Sequence, residues 1–244
     1  MILAKEKDAM GAAIADYHAK GRAAKLRVLS SMFDEDEFPV PHLFRSFEQM
    51  PRLEQTALRM ASGQILDVGA AAGCHTLALQ QMGKTVTAID ISPLSIQTMK
   101  RRGVADARLI DLFDPGFADT FDTVLMLMNG SSIIGNLDNM ERFFLRMKAL
   151  LCPGASILMD SSDIKYVYQL DDGSYDIPDT GRYYGVVDYR MQYKNIRGDR
   201  FDCLYTDFDT LAVCARQFGF QAELVERGDH FDYLAQLTPT AWTK

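Results

Sequence analysis

The chain has 244 residues, 48% of them hydrophobic, enough for one packed α/β domain or one domain with a small addition. A formal net charge of -7 argues against a large nucleic-acid footprint, which needs a basic patch to neutralise phosphates. The four cysteines (Cys74, Cys152, Cys203, Cys214) and four histidines (His18, His42, His75, His230) lack metal-ligand spacing, so neither a zinc site nor a disulfide framework is indicated.

Lys5, Glu6, Lys7 and Asp8 stand where a signal peptide would need its apolar core, and no stretch is apolar over the ~18 residues of a membrane span. A cytoplasmic protein with free thiols and no membrane partner is expected.

Residues 8–29 read as a helix with Met10, Ile14 and Tyr17 on one face and a break or kink at Gly21. Asp34 to Glu37, followed by Pro39 and Pro41, reads as a loop, because like charges repel and proline cannot continue a helix. A second helix starts near Pro51 and ends before Ser62-Gly63. Residues 1–63 are thus expected to be a helical cap within the same domain as a core over 64–244.

The core alternates. Strands are expected at Gln64–Gly69, Thr85–Asp90, Ala107–Ile110, Phe121–Met128 and Ala155–Asp160, with helices at Thr76–Met82, from Ser92-Pro93 to about Arg102, and at Leu137–Leu151. Pro153-Gly154 reads as a turn. Such alternation requires parallel pairing with right-handed crossovers, so the fold class is α/β with a doubly wound, mostly parallel Rossmann-like sheet. After Asp163 the rhythm changes. Residues of about 164–206 read as an insertion, with Tyr184–Tyr193 and Arg200–Thr206 forming a β-hairpin. A helix at Asp207–Phe218 and strands at Gln221–Glu226 and Phe231–Leu237 follow.

In an open parallel sheet, ligands sit beyond the carboxyl ends of the strands. The residues there are Gly69 to Gly73, Asp90, Asp111, Asn129 and Asp160 to Asp163. The loop ILDVGAAAG (Ile65 to Gly73) holds nothing larger than alanine after Val68, so a ligand can lie against bare backbone. The dinucleotide fingerprint needs glycine at the first, third and sixth loop positions, here Gly69, Ala71 and Cys74, and two of the three fail. A nicotinamide oxidoreductase is therefore disfavoured. Asp67 adds a carboxylate that can order the loop and reach an ammonium group. Asp90 can accept from both ribose hydroxyls of an adenosine, or can cap the helix at Ser92-Pro93. Asp111 can take an adenine amino group, or serve as a turn residue with Asp114 and Pro115.

Asp67-Val68-Gly69-Ala70-Ala71-Ala72-Gly73, followed by Asp90 and Asp111 at successive strand ends, resembles the class I S-adenosylmethionine-dependent methyltransferases. Ala71 stands where that family's loop has its middle glycine. The resemblance implies a seven-stranded sheet with an antiparallel last strand and S-adenosylmethionine as cofactor. It also implies Gly69, Ala71 and Gly73 around the methionine part, Asp90 at the ribose, and Asp111 with Leu112 at the adenine, with Asp67, Ala70 and Ile91 among the cofactor-binding residues. Met128 and Asn129, where the fourth core strand ends at the same edge, are also expected to bind the cofactor. Met128-Asn129-Gly130-Ser131 lacks the prolines and aromatic residue with which amino-methylating nucleic-acid enzymes of the family follow that strand, so a small-molecule acceptor is expected. The alternatives are a protein methyltransferase and a non-catalytic S-adenosylmethionine-binding regulator.

Methyl transfer from a sulfonium requires a general base only if the nucleophile arrives protonated. The candidates are Asp160, Asp163 and His75, each with a turn, packing or capping role as the alternative. Tyr17 can fold over the cofactor as part of a lid, as in similar enzymes, or pack in the core. Tyr166, Tyr168, Tyr175, Tyr183, Tyr184, Tyr189, Tyr193 and Tyr205 crowd the insertion and suit either a substrate wall or a half-exposed hairpin.

Overall fold

A computed structural model describes residues 1–240. Helix α1 (Ala9–Lys20) starts at the N-cap Asp8 and stops at Gly21, which takes the left-handed region at φ 67°. Strands β1 (Leu26–Leu29) and β2 (Asp36–Phe38) and helix α2 (Arg52–Met60) follow. Then come β3 (Gln64–Val68), α3 (Cys74–Gln81), β4 (Thr85–Asp90), α4 (Pro93–Arg102), β5 (Ala107–Leu109) and β6 (Phe121–Met126). Helix α5 (Met140–Leu150) runs straight into β7 (Leu151–Ser162). The insertion carries β8 (Val186–Tyr193), β9 (Ile196–Arg197) and β10 (Phe201–Leu204), and α6 (Phe208–Gln217), β11 (Phe220–Arg227) and β12 (Asp232–Pro239) complete the order.

The main sheet has seven strands in the order β11-β12-β7-β6-β3-β4-β5. Pairing is parallel from β5 to β7, and β12 runs antiparallel to both neighbours, as expected for the last strand. Strand periodicity sends alternate residues to opposite faces. Leu66, Val124, Met126, Ile157 and Met159 pack with Phe143, Phe144 and Met147 of α5. Ile65, Leu125 and Leu158 pack on the other face with Leu58 of α2 and Leu79 of α3. Each such fully buried side chain contributes about 1.5–3 kcal/mol, so the strand ends are held on a rigid frame.

A second sheet, β10-β8-β1-β2 with β9 on β8, joins the N-terminal segment to the insertion. It corrects two expectations. The helix expected over 8–29 ends at Lys20, because Gly21 caps it and Leu26–Leu29 gains a strand partner, with Leu26 opposite Tyr193. The loop expected at Asp34 to Glu37 is in part a strand, with Asp36 opposite Val28. Glu35 in the preceding turn pairs with Arg27 and Lys25, which relieves the acidic repulsion. The N-terminal cap is therefore helix and strand rather than helix alone. The hairpin expectation holds: β8 and β10 pair antiparallel, with Leu204 opposite Val186. Pro153-Gly154 lies within β7 rather than in a turn, where the pairing jumps from Phe121↔Leu151 to Thr123↔Ser156.

Candidate active site

The glycine loop leaves β3 and opens α3. Gly69, Ala71 and Gly73 all take positive φ, at 69°, 51° and 80°. The Gly69 and Ala70 N–H groups donate to the Ile89 carbonyl at 2.9 and 3.1 Å, tying the loop to β4. Gly69 is exposed while Ala70 and Ala72 are buried, so the loop presents backbone at the open end of the sheet. A Cβ at Gly73 would come within 3.0 Å of Met99 and Val104, which explains glycine there independently of φ.

Asp90 ends β4 with its two oxygens divided. Oδ2 accepts the Ala71 N–H and Oδ1 the Ser92 N–H, each at 2.8 Å. The helix cap itself is Ser92, whose Oγ accepts the Ser95 N–H at 2.9 Å. A carboxylate has about four lone-pair sites, so Asp90 keeps acceptor capacity toward the crevice. Burial pushes its pKa up to about 6, and the charges of Asp8 and Asp67 add to that rise.

Asp67 is buried and faces α3, where Oδ2 accepts the Thr76 hydroxyl at 2.5 Å. Burial raises its pKa against the lowering effects of His75 and Thr76. It thus orders the loop from below. His75 is also beneath the loop, with Nε2 2.7 Å from Glu54 Oε2. Glu54 in turn accepts two hydrogen bonds from Arg45, both at 2.9 Å. Arg45 and Glu54 carry no local sequence signal, since the three partners come from separate segments.

Past β6, Met128 and Asn129 also take positive φ, at 64° and 60°. Asp160 holds this turn by accepting the Met128 N–H at 3.0 Å and the Gly130 N–H at 2.8 Å. Burial pushes its pKa up to about 6. Ser131 and Ser161, 2.7 Å apart through their hydroxyls, pin the insertion here. Ser131 donates to the Leu204 carbonyl at 2.8 Å, and Ser161 accepts the Thr206 N–H at 3.0 Å. Asp163 accepts from the Tyr184 hydroxyl at 2.8 Å and the Lys165 N–H at 2.9 Å.

At the adenine end, Asp111 accepts the Phe113 N–H at 2.9 Å and pairs with the Met1 amino group. Leu112 is buried, Ile91 is 37% exposed, and the Ile91 carbonyl accepts the Leu3 N–H at 2.9 Å. The cap lies on the loop: Ile14, Leu43 and Ala72 form a buried cluster with Met10, Phe38, Phe44, Ala71 and Met128 packed against it. Tyr17 packs its ring on Phe44, with centroids 4.7 Å apart. Asp8 lies outside the strand-end residues that the sequence singles out, yet it begins this cap helix and reaches Ser92. The signal that could find it is an acid three residues before Gly11, which is N-cap spacing.

The structure thus brings Gly69 to Gly73, Asp90, Met128, Asn129 and Asp160 to the carboxyl ends of β3, β4, β6 and β7. It turns Asp67 and His75 toward the loop's underside. The insertion's tyrosines divide. Tyr166, Tyr189 and Tyr205 line a cavity of about 430 Å³ with Val28, Phe33 and Ile164. Tyr183 and Tyr184 bond to Asp207, and Tyr193 is buried against α1. A larger cavity of about 680 Å³ lies at the amino ends of the strands, beside Gln64, Thr85 and Phe121, on the wrong side of the sheet for this site.

An S-adenosyl group suits this donor set. Exposed backbone at Gly69 and a carboxylate with acceptor capacity at Asp90 suit its amino-acid and ribose parts in order. Among the described residues, no group of side chains is placed to hold a metal ion and no helix is long and apolar enough to cross a membrane.

Comparisons with known proteins agree. The "Methyltransferase domain" family matches residues 66–159. Demethylmenaquinone methyltransferase of Tropheryma whipplei (strain Twist) is 29% identical over 126 residues, 48% of this chain and 51% of that protein, so the chain spans about half the length of the curated relatives it matches. The CcbJ methyltransferase of Streptomyces caelestis shares the fold, with a TM-score of 0.62 at 15% identity over 96% of this chain and 99% of that one. A S-adenosylmethionine-dependent methyltransferase from Bacteroides fragilis, solved in complex with S-adenosyl-L-homocysteine, is 60% identical, with a TM-score of 0.94 over 99% of this chain and 98% of that one. With the loop, the strand-end carboxylates and this full-length likeness, the chain belongs to the S-adenosylmethionine-dependent methyltransferases and uses S-adenosylmethionine as its methyl donor.

Proposed function

We propose that this enzyme methylates a small molecule held in the cavity between the second sheet and the carboxyl edge of the main sheet. The carrying observation is that cavity. Its volume of about 430 Å³ falls in the usual range for small-ligand sites. Asn129 Nδ2 lies 3.8 Å from Cys203 Sγ, two residues before the cavity-lining Tyr205, so the cavity adjoins the turn after β6. Asp34, Glu35 and Asp36 line one side, and among the described residues no Lys or Arg lines it, which disfavours an anionic acceptor and a nucleic acid.

In this reading Asp67, Gly69, Ala70, Ala71 and Gly73 seat the methionine part, the first by ordering the loop. Asp90 and Ile91 take the ribose, and Asp111 and Leu112 the adenine. Met128 and Asn129 border the methyl group, and Tyr17 belongs to the cap that excludes water. The cofactor supplies an activated methyl group on a sulfonium, and the chain's own work is to orient the acceptor and keep the site dry. Asp163 is the base for an acceptor that arrives protonated. It precedes Ile164 in the cavity wall, whereas Asp160 holds a turn and His75 holds Glu54. The half-length likeness to demethylmenaquinone methyltransferase, whose name denotes a small-molecule acceptor, supports the same class. Four free cysteines are in keeping with a cytoplasmic setting.

The test is label transfer. The protein is incubated with methyl-labelled S-adenosylmethionine and panels of small phenols, amines and carboxylates, beside denatured protein substrates. Label on a small molecule is expected. Label on polypeptide alone would overturn the reading.

A further inference from the structure

Asp8 is wholly buried, and its polar partners are the starts of two helices. Oδ1 accepts the Gly11 N–H of α1 at 2.9 Å. Oδ2 accepts the Ser92 hydroxyl at 2.6 Å and the Leu94 N–H at 3.3 Å, both at the start of α4. Helix N-termini stabilise a carboxylate through their free N–H groups and dipoles, so two helices share the work of holding this buried group. The fit is close. A Cβ at Gly11 would overlap Ser92 Oγ and the Asp8 carboxylate, so only glycine lets α1 approach α4 this way.

The contacts continue to the site. Ser92 donates its hydroxyl to Asp8 and its N–H to Asp90, and Asp90 accepts the Ala71 N–H with its other oxygen. The same cap helix lays Met10 and Ile14 against Ala71 and Ala72. Helix α1 therefore meets the glycine loop twice, once through apolar packing and once through Asp8, Ser92 and Asp90.

We propose that Asp8 is a positioning residue for cofactor binding: through Ser92 it fixes the Asp90 carboxylate, so that seating of the cap helix and readiness of the ribose site are one event. The proposal rests on the reading of Asp90 as the ribose acceptor. It makes the N-terminal segment part of the binding machinery rather than a passive cover. Losing Asp8 should cost affinity for the ribose hydroxyls specifically.

The experiment is titration calorimetry with S-adenosylhomocysteine and its 2′,3′-dideoxy analogue. Asp8→Asn should weaken S-adenosylhomocysteine about tenfold, the scale of a charge-assisted hydrogen bond, and leave the dideoxy analogue unchanged. Equal weakening of both ligands would mean that Asp8 only seats the cap, and no weakening would mean that Asp90 is set without it. Either result overturns the proposal. Asp90→Asn is measured alongside and should abolish the preference for the hydroxylated ligand. If that preference survives in Asp90→Asn, the ribose reading itself falls, whatever Asp8 does. Should Asp8→Asn fail to fold, Ser92→Ala cuts the same link from α4 and carries the same expectations.

Discussion

His75 Nε2 lies 2.7 Å from Glu54 Oε2, and both side chains are buried beneath the glycine loop. Burial alone would lower the His75 pKa. The hydrogen bond to Glu54 and the charges of Asp67, Glu54 and Asp160 outweigh it, so the pKa is raised above the ordinary 6.5. For Glu54, burial acts upward, but His75 and Arg45 outweigh it and the pKa is lowered from 4.5. The His75–Glu54 pair thus joins α2 to α3, and with them the cap to the loop.

The sign of the pH dependence follows from linkage. The raised His75 pKa contributes stability that is full below about pH 6.5 and is lost as pH rises through the folded value. The lowered Glu54 pKa contributes stability present above about pH 4.5 and lost below it. His75→Gln should therefore cost most near pH 6, about 3 kcal/mol for breaking one side of a buried pair, and progressively less at alkaline pH. Thermal melts of both proteins across this range check it. A pH-independent difference would mean that His75 is neutral in the fold.

A second pH effect belongs to cofactor binding. Asp90 has its pKa pushed up to about 6 by burial first, then by Asp8 and Asp67. A ribose hydroxyl donates a stronger hydrogen bond to the carboxylate than to the protonated acid. Affinity for S-adenosylhomocysteine should therefore fall as pH drops below about 6, by about tenfold between pH 7 and pH 5. In Asp90→Asn, titration calorimetry should find weaker binding and a flat profile through this range. A wild-type profile that is already flat would remove Asp90 from the ribose.

The core and the second sheet differ in how far they could be read from sequence, and the reason is physical. Ile65-Leu66 and Val124 to Met126 are apolar runs of the kind a parallel strand covered on both faces requires. The place of Asp90 at the end of β4 is legible because Ser92-Pro93 opens the next helix directly after it. Strand β2 is three residues long and mostly exposed, so it has no apolar alternation to read. Strand β1 is defined by a partner far along the chain, with Leu26 opposite Tyr193. Glu54 and His75 likewise meet only in the fold. Local pattern reports local structure, and these contacts are not local.

Ala71 illustrates a finer point. It occupies the position of the family's middle glycine and adopts glycine's conformation, at φ 51°. Ala71→Gly removes a left-handed penalty of about 1–2 kcal/mol. It also loses a methyl worth about 0.8 kcal/mol and adds about 0.5–1 kcal/mol of chain entropy. These offset, so denaturant melts should show little change. Gly73→Ala is the contrast. There φ is 80° and the new Cβ would lie 3.0 Å from Met99 and Val104, so strain and overpacking add. A loss of about 2–4 kcal/mol is expected in the same melts. A neutral Gly73→Ala would mean that α3 can shift relative to α4.

Tyr189 tests the proposed acceptor cavity without touching the residues proposed to hold the cofactor. Its ring lies on the face of β8 shared with Val187 and Met191, and its hydroxyl is 3.3 Å from that of Tyr205. Burial raises the pKa of both phenols, so they remain protonated donors near neutral pH and neither serves as the base. Tyr189→Ala removes one wall of the cavity and leaves Asp90 and the glycine loop intact. It should raise the acceptor KM by about tenfold or more, the scale of one aromatic contact surface, with the affinity for S-adenosylhomocysteine unchanged. Tyr205→Phe keeps the wall and should leave kcat close to that of the unaltered enzyme, whereas Asp163→Asn should lower kcat by about 100-fold or more for any acceptor that needs a base. An acceptor KM indifferent to Tyr189→Ala would place the acceptor elsewhere on the carboxyl edge, and a comparable loss of kcat in Tyr205→Phe would move the base from Asp163 into the cavity wall.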